Sequence, residues 1–375
     1  MHKIVYYPLG NAETLRIDVD SSDRKILMDY ADVRDPNNKF DLRWDLPTDL
    51  KADLKASKRD SYDAVVFTHL DDDHCCGAGD FFYFEYASTR QGAGRVKMPE
   101  MWVPALAITE TSLDGDALII SKEARYRLKE LKGKGIRVFS APETLEKWFK
   151  DNDLDLADYR DRGIVLDAGK VVPTFNLEDD HVEFFIHSPF ASRTEDGVLH
   201  VRNIDAIVMQ AVFESAGVET KLLITADVPY SQLDEIVRVT KLKKREHRLE
   251  SDIFDVVHHC SYTALGPEKG KDKTKPTENI QWLLDQIRTG GLLVSSSKPI
   301  PTDDSDDQPP HRQAAATYGE TADGIDGEFV VTMEHPKKSA PEPVVIEIDK
   351  QGAKLVKQIL GAAAAVVSAP AARVG

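Results

Sequence analysis

Two histidines and three aspartates fall within six residues of the stretch VVFTHLDDDHCCGAGDFF, Val65 to Phe82. Imidazole nitrogen and carboxylate oxygen are donors suited to zinc, manganese or iron. So many ionisable groups side by side repel one another unless they are solvated or neutralised by cations. The candidate ligands in HLDDDH are His69, Asp71, Asp73 and His74. Taken alone, the run is more simply a polar turn in which Asp72 or Asp73 caps the next helix.

Later segments shift that balance, because they share one format: an apolar strand that ends in a polar donor. VEFFIH ends in His187, KLLITAD in Asp227, and FDVVHH in His258 and His259. Buried charges and imidazoles cost free energy unless paired or metal-bound. Four strand ends in order, each carrying His or Asp, are hard to explain by fold stability alone.

The elements that must position these residues are legible in outline. KIVYYP, TLRIDV and KILMDY are short β-branched runs between turn-formers. DAVVFTH is a continuous apolar run and reads as a buried strand. From about residue 88 to 162 the pattern turns helical, as in GDALIISKEARYRLKELKGKG and APETLEKWFKDND, and predicts a helical insertion. Strands resume with GIVLDAG, VEFFIHSPF, IDAIVMQAVFE and TKLLITAD. Helices YSQLDEIVRVTKLKKREHR and TENIQWLLDQIRTGG then alternate with strands FDVVHHCS and LLVSSS. PTDDSDDQPPH is an acidic loop, and GAAAAVVSAPAARVG is a low-complexity tail. Two β-rich blocks with polar clusters at strand ends, and helices between, suit an α/β fold: two sheets face to face with helices outside.

The chain has 375 residues, 41% hydrophobic and 30% charged, which suffices for a large core and is unlike a disordered chain. No apolar run has membrane-spanning length, and a soluble cytoplasmic protein is expected. Three cysteines, two of them adjacent (Cys75 and Cys76), make no disulfide framework. A net charge of −16 argues against a protein that tracks a long nucleic-acid backbone.

The order of the donors resembles the metallo-β-lactamase fold superfamily: H-x-H-x-D-H, a single His, a bridging Asp and a final His. Here Asp71 stands where the second His is usual. That H-x-D-x-D-H variant is similar to the hydrolase domain of competence-type DNA-uptake channel proteins, as are YPLGNAETLRIDV, LLITADV, VVHHCSYTA and LLVSSSKPIP. The resemblance spans roughly residues 1 to 311, without the middle region. It implies a four-layer αββα sandwich over residues 1–338, with the insertion at about 88–162, and a C-terminal strand and Ala-rich tail at 339–375. It implies two divalent metal ions, with zinc first and manganese or iron as alternatives. His69, Asp71 and His187 would hold one. Asp73, His74 and either His258 or His259, with a slight preference for His258, would hold the other, and Asp227 would bridge. Asp29 would orient a ligand histidine. Gly77 and Gly79 would let the following helix approach closely. Cys260 stands where that branch usually has glycine.

Such a site implies hydrolysis by a metal-activated water. Asp73 and His311 are the expected catalytic side chains, His311 as proton donor to the leaving group. The expected substrate is a small phosphodiester or a short nucleic acid. The alternatives are a small ester, lactone or thioester, or a non-catalytic module that engages a protein partner through the insertion. Basic segments at Lys241–Arg248 and Lys269–Lys275 are the candidates for contact with long nucleic acid.

Overall fold

A computed structural model describes residues 1–190 and 205–356. β1 (His2–Tyr6), β2 (Leu15–Val19) and β3 (Arg24–Met28) form an antiparallel meander. β4 (Ala64–Val66), β5 (Glu100–Pro104), β6 (Ile136–Phe139) and β7 (Val165–Leu166) extend it in parallel. The second sheet repeats the plan. β8 (Val182–Ser188), β9 (Val208–Ser215) and β10 (Val218–Ile224) are antiparallel. β11 (Ser251–Asp255), β12 (Ile287–Ser295) and β13 (Glu328–Val331) follow in parallel. β14 (Val344–Asp349) and β15 (Gly352–Leu355) return to the free side of β1. The result is a nine-stranded and a six-stranded sheet.

Side-chain alternation along the strands separates three apolar layers. Ile4, Ile26, Val66 and Trp102 of the first sheet meet Phe184, Met209, Leu222, Ile253 and Val294 of the second. The opposite faces carry Val5, Leu27, Val65 and Val103, which pack against helices Leu46–Ala56, Gly115–Lys129 and Glu143–Asp151. On the far side Leu223, Phe254 and Leu293 pack against helices Tyr230–Leu242, Glu278–Leu284 and Arg312–Gly324. This is the expected αββα order. No described helix is long and apolar enough to cross a membrane.

One element expectation needs correction. The 88–162 region is not a purely helical insertion, because it supplies β5 and β6 to the first sheet. Both strands are short and lie inside a parallel sheet covered on both faces, so they lack the polar alternation that marks a half-exposed strand. The C-terminal strand expected after residue 339 is β14, paired along the whole of β1. The Ala-rich tail lies outside the described residues.

Candidate metal centre

The donors gather at the carboxyl ends of strands from both sheets. Asp29 directly follows β3, with φ at +54°. Its carboxylate accepts from the Thr68 backbone N–H at 2.7 Å and from the Thr68 hydroxyl at 2.6 Å. It also accepts from His74 Nδ1 at 2.8 Å. These bonds fix the loop after β4, which carries His69 and then the one-turn helix Asp72–Cys75. With Nδ1 committed to Asp29, His74 turns Nε2 toward Asp227.

From the second sheet, Asp227 follows β10 and the His258–His259 pair follows β11. His259 Nδ1 donates to the Ser296 carbonyl at 2.7 Å, which again leaves Nε2 free. His74 Nε2 lies 3.4 Å from Asp227 Oδ1, and His259 Nε2 lies 3.3 Å from both Asp73 Oδ2 and Asp227 Oδ2. The His69 and His74 rings are 4.0 Å apart, and His69 Nε2 is 3.7 Å from Asp71 Oδ2.

Asp73, His74, Asp227 and His259 therefore offer two nitrogens and two oxygens within 4.8 Å of one another. Four buried atoms at this point, Nε2 of His69, His74 and His259 and Oδ1 of Asp227, have no hydrogen-bond partner. Buried polar atoms without partners are rare. Nitrogen and oxygen donors converging from both sheets fit a divalent cation, which would displace the imidazole protons, and the mixed set suits zinc, manganese or iron.

Charge is tightly coupled here. Burial would push the His74 imidazole down, but the carboxylates of Asp227 and Asp29 outweigh it and hold it well up. The same contest, with Asp227 and Asp73 as partners, pushes His259 up to about 10. Burial would raise Asp227, yet His259 and His74 hold it well below the usual carboxylate range. His69, with burial and His74 against it, is lowered to about 3, so it stays neutral and able to donate a lone pair.

The structure brings together His69, Asp71, Asp73, His74, Asp227 and His259. It reverses the slight preference for His258, whose Nε2 is 3.6 Å from Asp227 and whose side chain is 25% exposed, against 2% for His259. The reason is backbone shape: His258, His259 and Cys260 have φ of +51°, +50° and +65°. Three left-handed residues in a row void the strand alternation on which the preference depended.

His187 also needs correction, since it is not brought to the cluster. Phe184 and Ile186 face the inter-sheet core. His187 turns instead to the Arg248 carbonyl, 2.8 Å from its Nε2, and packs on Phe185. His311 caps helix Arg312–Gly324. Its Nδ1 accepts from the Tyr262 N–H at 3.3 Å and its Nε2 donates to the Asp307 carbonyl at 3.1 Å. Both nitrogens are held by backbone, beside the histidine pair rather than in the cluster.

Gly79 lies close against helix Gly115–Lys129, where a Cβ would meet Asp116 and Ile119, rather than admitting the helix that follows the motif; Gly77, at φ +80°, donates its N–H to Asp116 at 2.7 Å. The beginning of the 88–162 region walls the site, where Pro104, Leu106, Ala107 and Glu110 line a small gap with His69 and Leu70.

Two carboxyls escaped the sequence reading: Glu13, which lies with Asp29 and His74, and Asp255. An acid inside the apolar run IFDVV was the available signal for Asp255, since such a placement demands a partner. Nothing in LGNAETL marks Glu13.

No protein-family model matches the chain. No curated protein matches it. Among solved structures, a diphosphatase of the PhnP family aligns at 12% identity over 83% of this chain and 92% of that one, with a TM-score of 0.29. A provisionally assigned metallo-β-lactamase from Thermotoga maritima aligns at 16% identity over 66% of this chain and 93% of that one, with a TM-score of 0.26. Likenesses this loose leave the site to be read from this chain's own residues.

Proposed function

We propose that the chain is a metal-dependent hydrolase whose substrate is a small phosphodiester or a short piece of nucleic acid. The observation that carries the metal dependence is the convergence of Nε2 of His74 and His259 on Asp227 and Asp73, with His69 Nε2 close by beside Asp71. Bound divalent metal would supply Lewis acidity and an activated water.

The chain's own residues do the rest. Asp29 and the Ser296 carbonyl hold His74 and His259 in the tautomers that leave Nε2 free. Asp227 reaches His74 with one oxygen and His258 and His259 with the other, so one carboxylate spans the site. Leu70, Pro104, Leu106 and Ala107 give the His69 side an apolar wall. His311 holds a proton on Nε2 against the Asp307 carbonyl, beside the His258 turn.

The small size of the substrate is supported by how several cations of the basic segments are used. Lys269 pairs with Asp304 at 3.3 Å, and Lys273 pairs with Glu320. Lys241 lies over Trp282, Arg245 donates to the Gly169 carbonyl, and Arg248 pairs with Glu183. Cations already committed within the protein release few counterions on contact with a long phosphate backbone.

The test compares a chromogenic phosphodiester with an aryl ester and a lactone, using chelator-treated protein and protein resupplied with zinc or manganese. Diester turnover that chelation abolishes and metal restores is expected. Turnover of the ester or lactone alone would transfer the site to the other substrate class. Turnover indifferent to chelator would refute metal dependence.

A further inference from the structure

Glu13 is buried, belongs to none of the strand-end donor motifs, and stands between the two sheets at the metal centre. Its backbone N–H, in the turn between β1 and β2, donates to the Asp73 carbonyl at 3.0 Å. Its side chain reaches the second sheet at two points. One is the Ser296 hydroxyl, 3.5 Å from Oε1, in the residue whose carbonyl holds His259. The other is Asp255 at the end of β11, whose carboxyl lies against that of Glu13. Asp255 in turn accepts from the Thr225 N–H at 3.4 Å, and the Asp255 carbonyl accepts from the Thr225 hydroxyl at 2.8 Å. Thr225 lies two residues before Asp227, across Ala226 at φ +50°. Three lines of contact thus run from Glu13, to Asp73, to His259 and to Asp227.

From this geometry we infer that Glu13 is the positioning residue that sets the spacing between the half-site of the first sheet, Asp73 and His74, and that of the second, Asp227 and His259. The role inferred lies behind the ligands, with the Glu13 carboxyl turned to Asp255 and the Ser296 hydroxyl. The link matters because sites assembled from two sheets depend on a fixed distance between them, and partners one bond behind the ligands commonly govern metal affinity by about ten- to a hundred-fold. The inference rests on the metal-centre reading above.

The experiment titrates the metal-stripped full chain with zinc ion by calorimetry and follows each variant's urea unfolding in parallel. Glu13→Ala should weaken zinc uptake by roughly ten-fold or more. Glu13→Gln, whose amide still bridges Asp255 and Ser296, should stay within about three-fold. Should Glu13→Ala not fold, the double variant Glu13→Leu/Asp255→Leu carries the test. Replacing both partners of a buried polar pair with apolar groups can leave stability nearly unchanged, while the link is lost and zinc affinity should still fall. A folded Glu13→Ala or double variant that binds zinc like wild type overturns the inference. Glu13→Gln weakened as much as Glu13→Ala overturns it too, since charge rather than the link would then govern binding. Wild-type protein that takes up no zinc, manganese or iron removes the metal-centre reading itself, and this inference with it.

Discussion

His74 Nδ1 and Asp29 Oδ2 are 2.8 Å apart and both fully enclosed, Asp29 directly after β3 and His74 in the one-turn helix that follows the β4 loop. The pair decides which imidazole nitrogen faces Asp227, and so whether the centre offers a lone pair or a proton. Asp29→Ala should lower metal affinity by about ten- to a hundred-fold through loss of that orientation. It should also destabilise the fold by roughly 1–3 kcal/mol, because the Thr68 N–H and hydroxyl lose their acceptor. Calorimetric metal titration and urea midpoints read the two effects separately.

The protonation of His259 gives the metal-free chain a pH signature. Burial opposes it, but the Asp227 and Asp73 carboxylates push its folded value up to about 10, above the ordinary imidazole value of about 6.5. A group whose folded value lies above its unfolded one contributes stability fully present below the unfolded value and lost as pH rises through the folded value. Metal-free protein should lose stability steadily between about pH 6.5 and 10. Unfolding midpoints across that window check it, and a flat profile would contradict it. Metal uptake should release protons, so apparent affinity should weaken as pH falls.

His258 and His259 should separate cleanly by mutation. His259→Ala removes a lone pair 3.3 Å from two carboxylates and should reduce metal stoichiometry. His258→Ala removes a partly exposed ring and should keep the stoichiometry of wild type. Elemental analysis of the two variants decides it, and the opposite pattern would restore the preference drawn from sequence.

Cys260 occupies a left-handed position, φ +65°, and is fully buried. Glycine adopts that backbone without strain, while a β-branched residue does so at a penalty of about 1–3 kcal/mol. Cys260→Gly should keep stability within about 1 kcal/mol, relief of strain offsetting lost packing, whereas Cys260→Val should destabilise by more than 2 kcal/mol. Burial pushes the thiol well up, so alkylating reagents should leave native activity unchanged.

Substrate size can be read from salt. A short diester should be cleaved better than long duplex, with binding that depends weakly on ionic strength. Steep salt dependence with faster duplex cleavage would mean that the Lys269–Asp304 and Lys273–Glu320 pairs open in favour of phosphate.

Much of the candidate site was legible because an apolar run followed at once by His or Asp is a costly arrangement that sequence displays openly. His69, His74, Asp227 and His259 were found that way. His187 fits the same pattern but faces elsewhere, since one step of strand alternation, next to a register shift between Ile186 and Ser188, reverses the side. β5 and β6 were hidden because strands buried on both faces carry no alternation. Glu13 was hidden for a different reason: its partners, Asp255 and Ser296, are more than two hundred residues away in sequence, and only the packing of the two sheets brings them together.

The metal content of chain purified without chelator tests the metal centre most directly. Divalent transition metal bound in stoichiometric amount, and lost on Asp227→Ala and His74→Ala while the sandwich stays folded, is the predicted result. Wild-type protein that contains none, and takes up no zinc, manganese or iron when these are supplied, would contradict it.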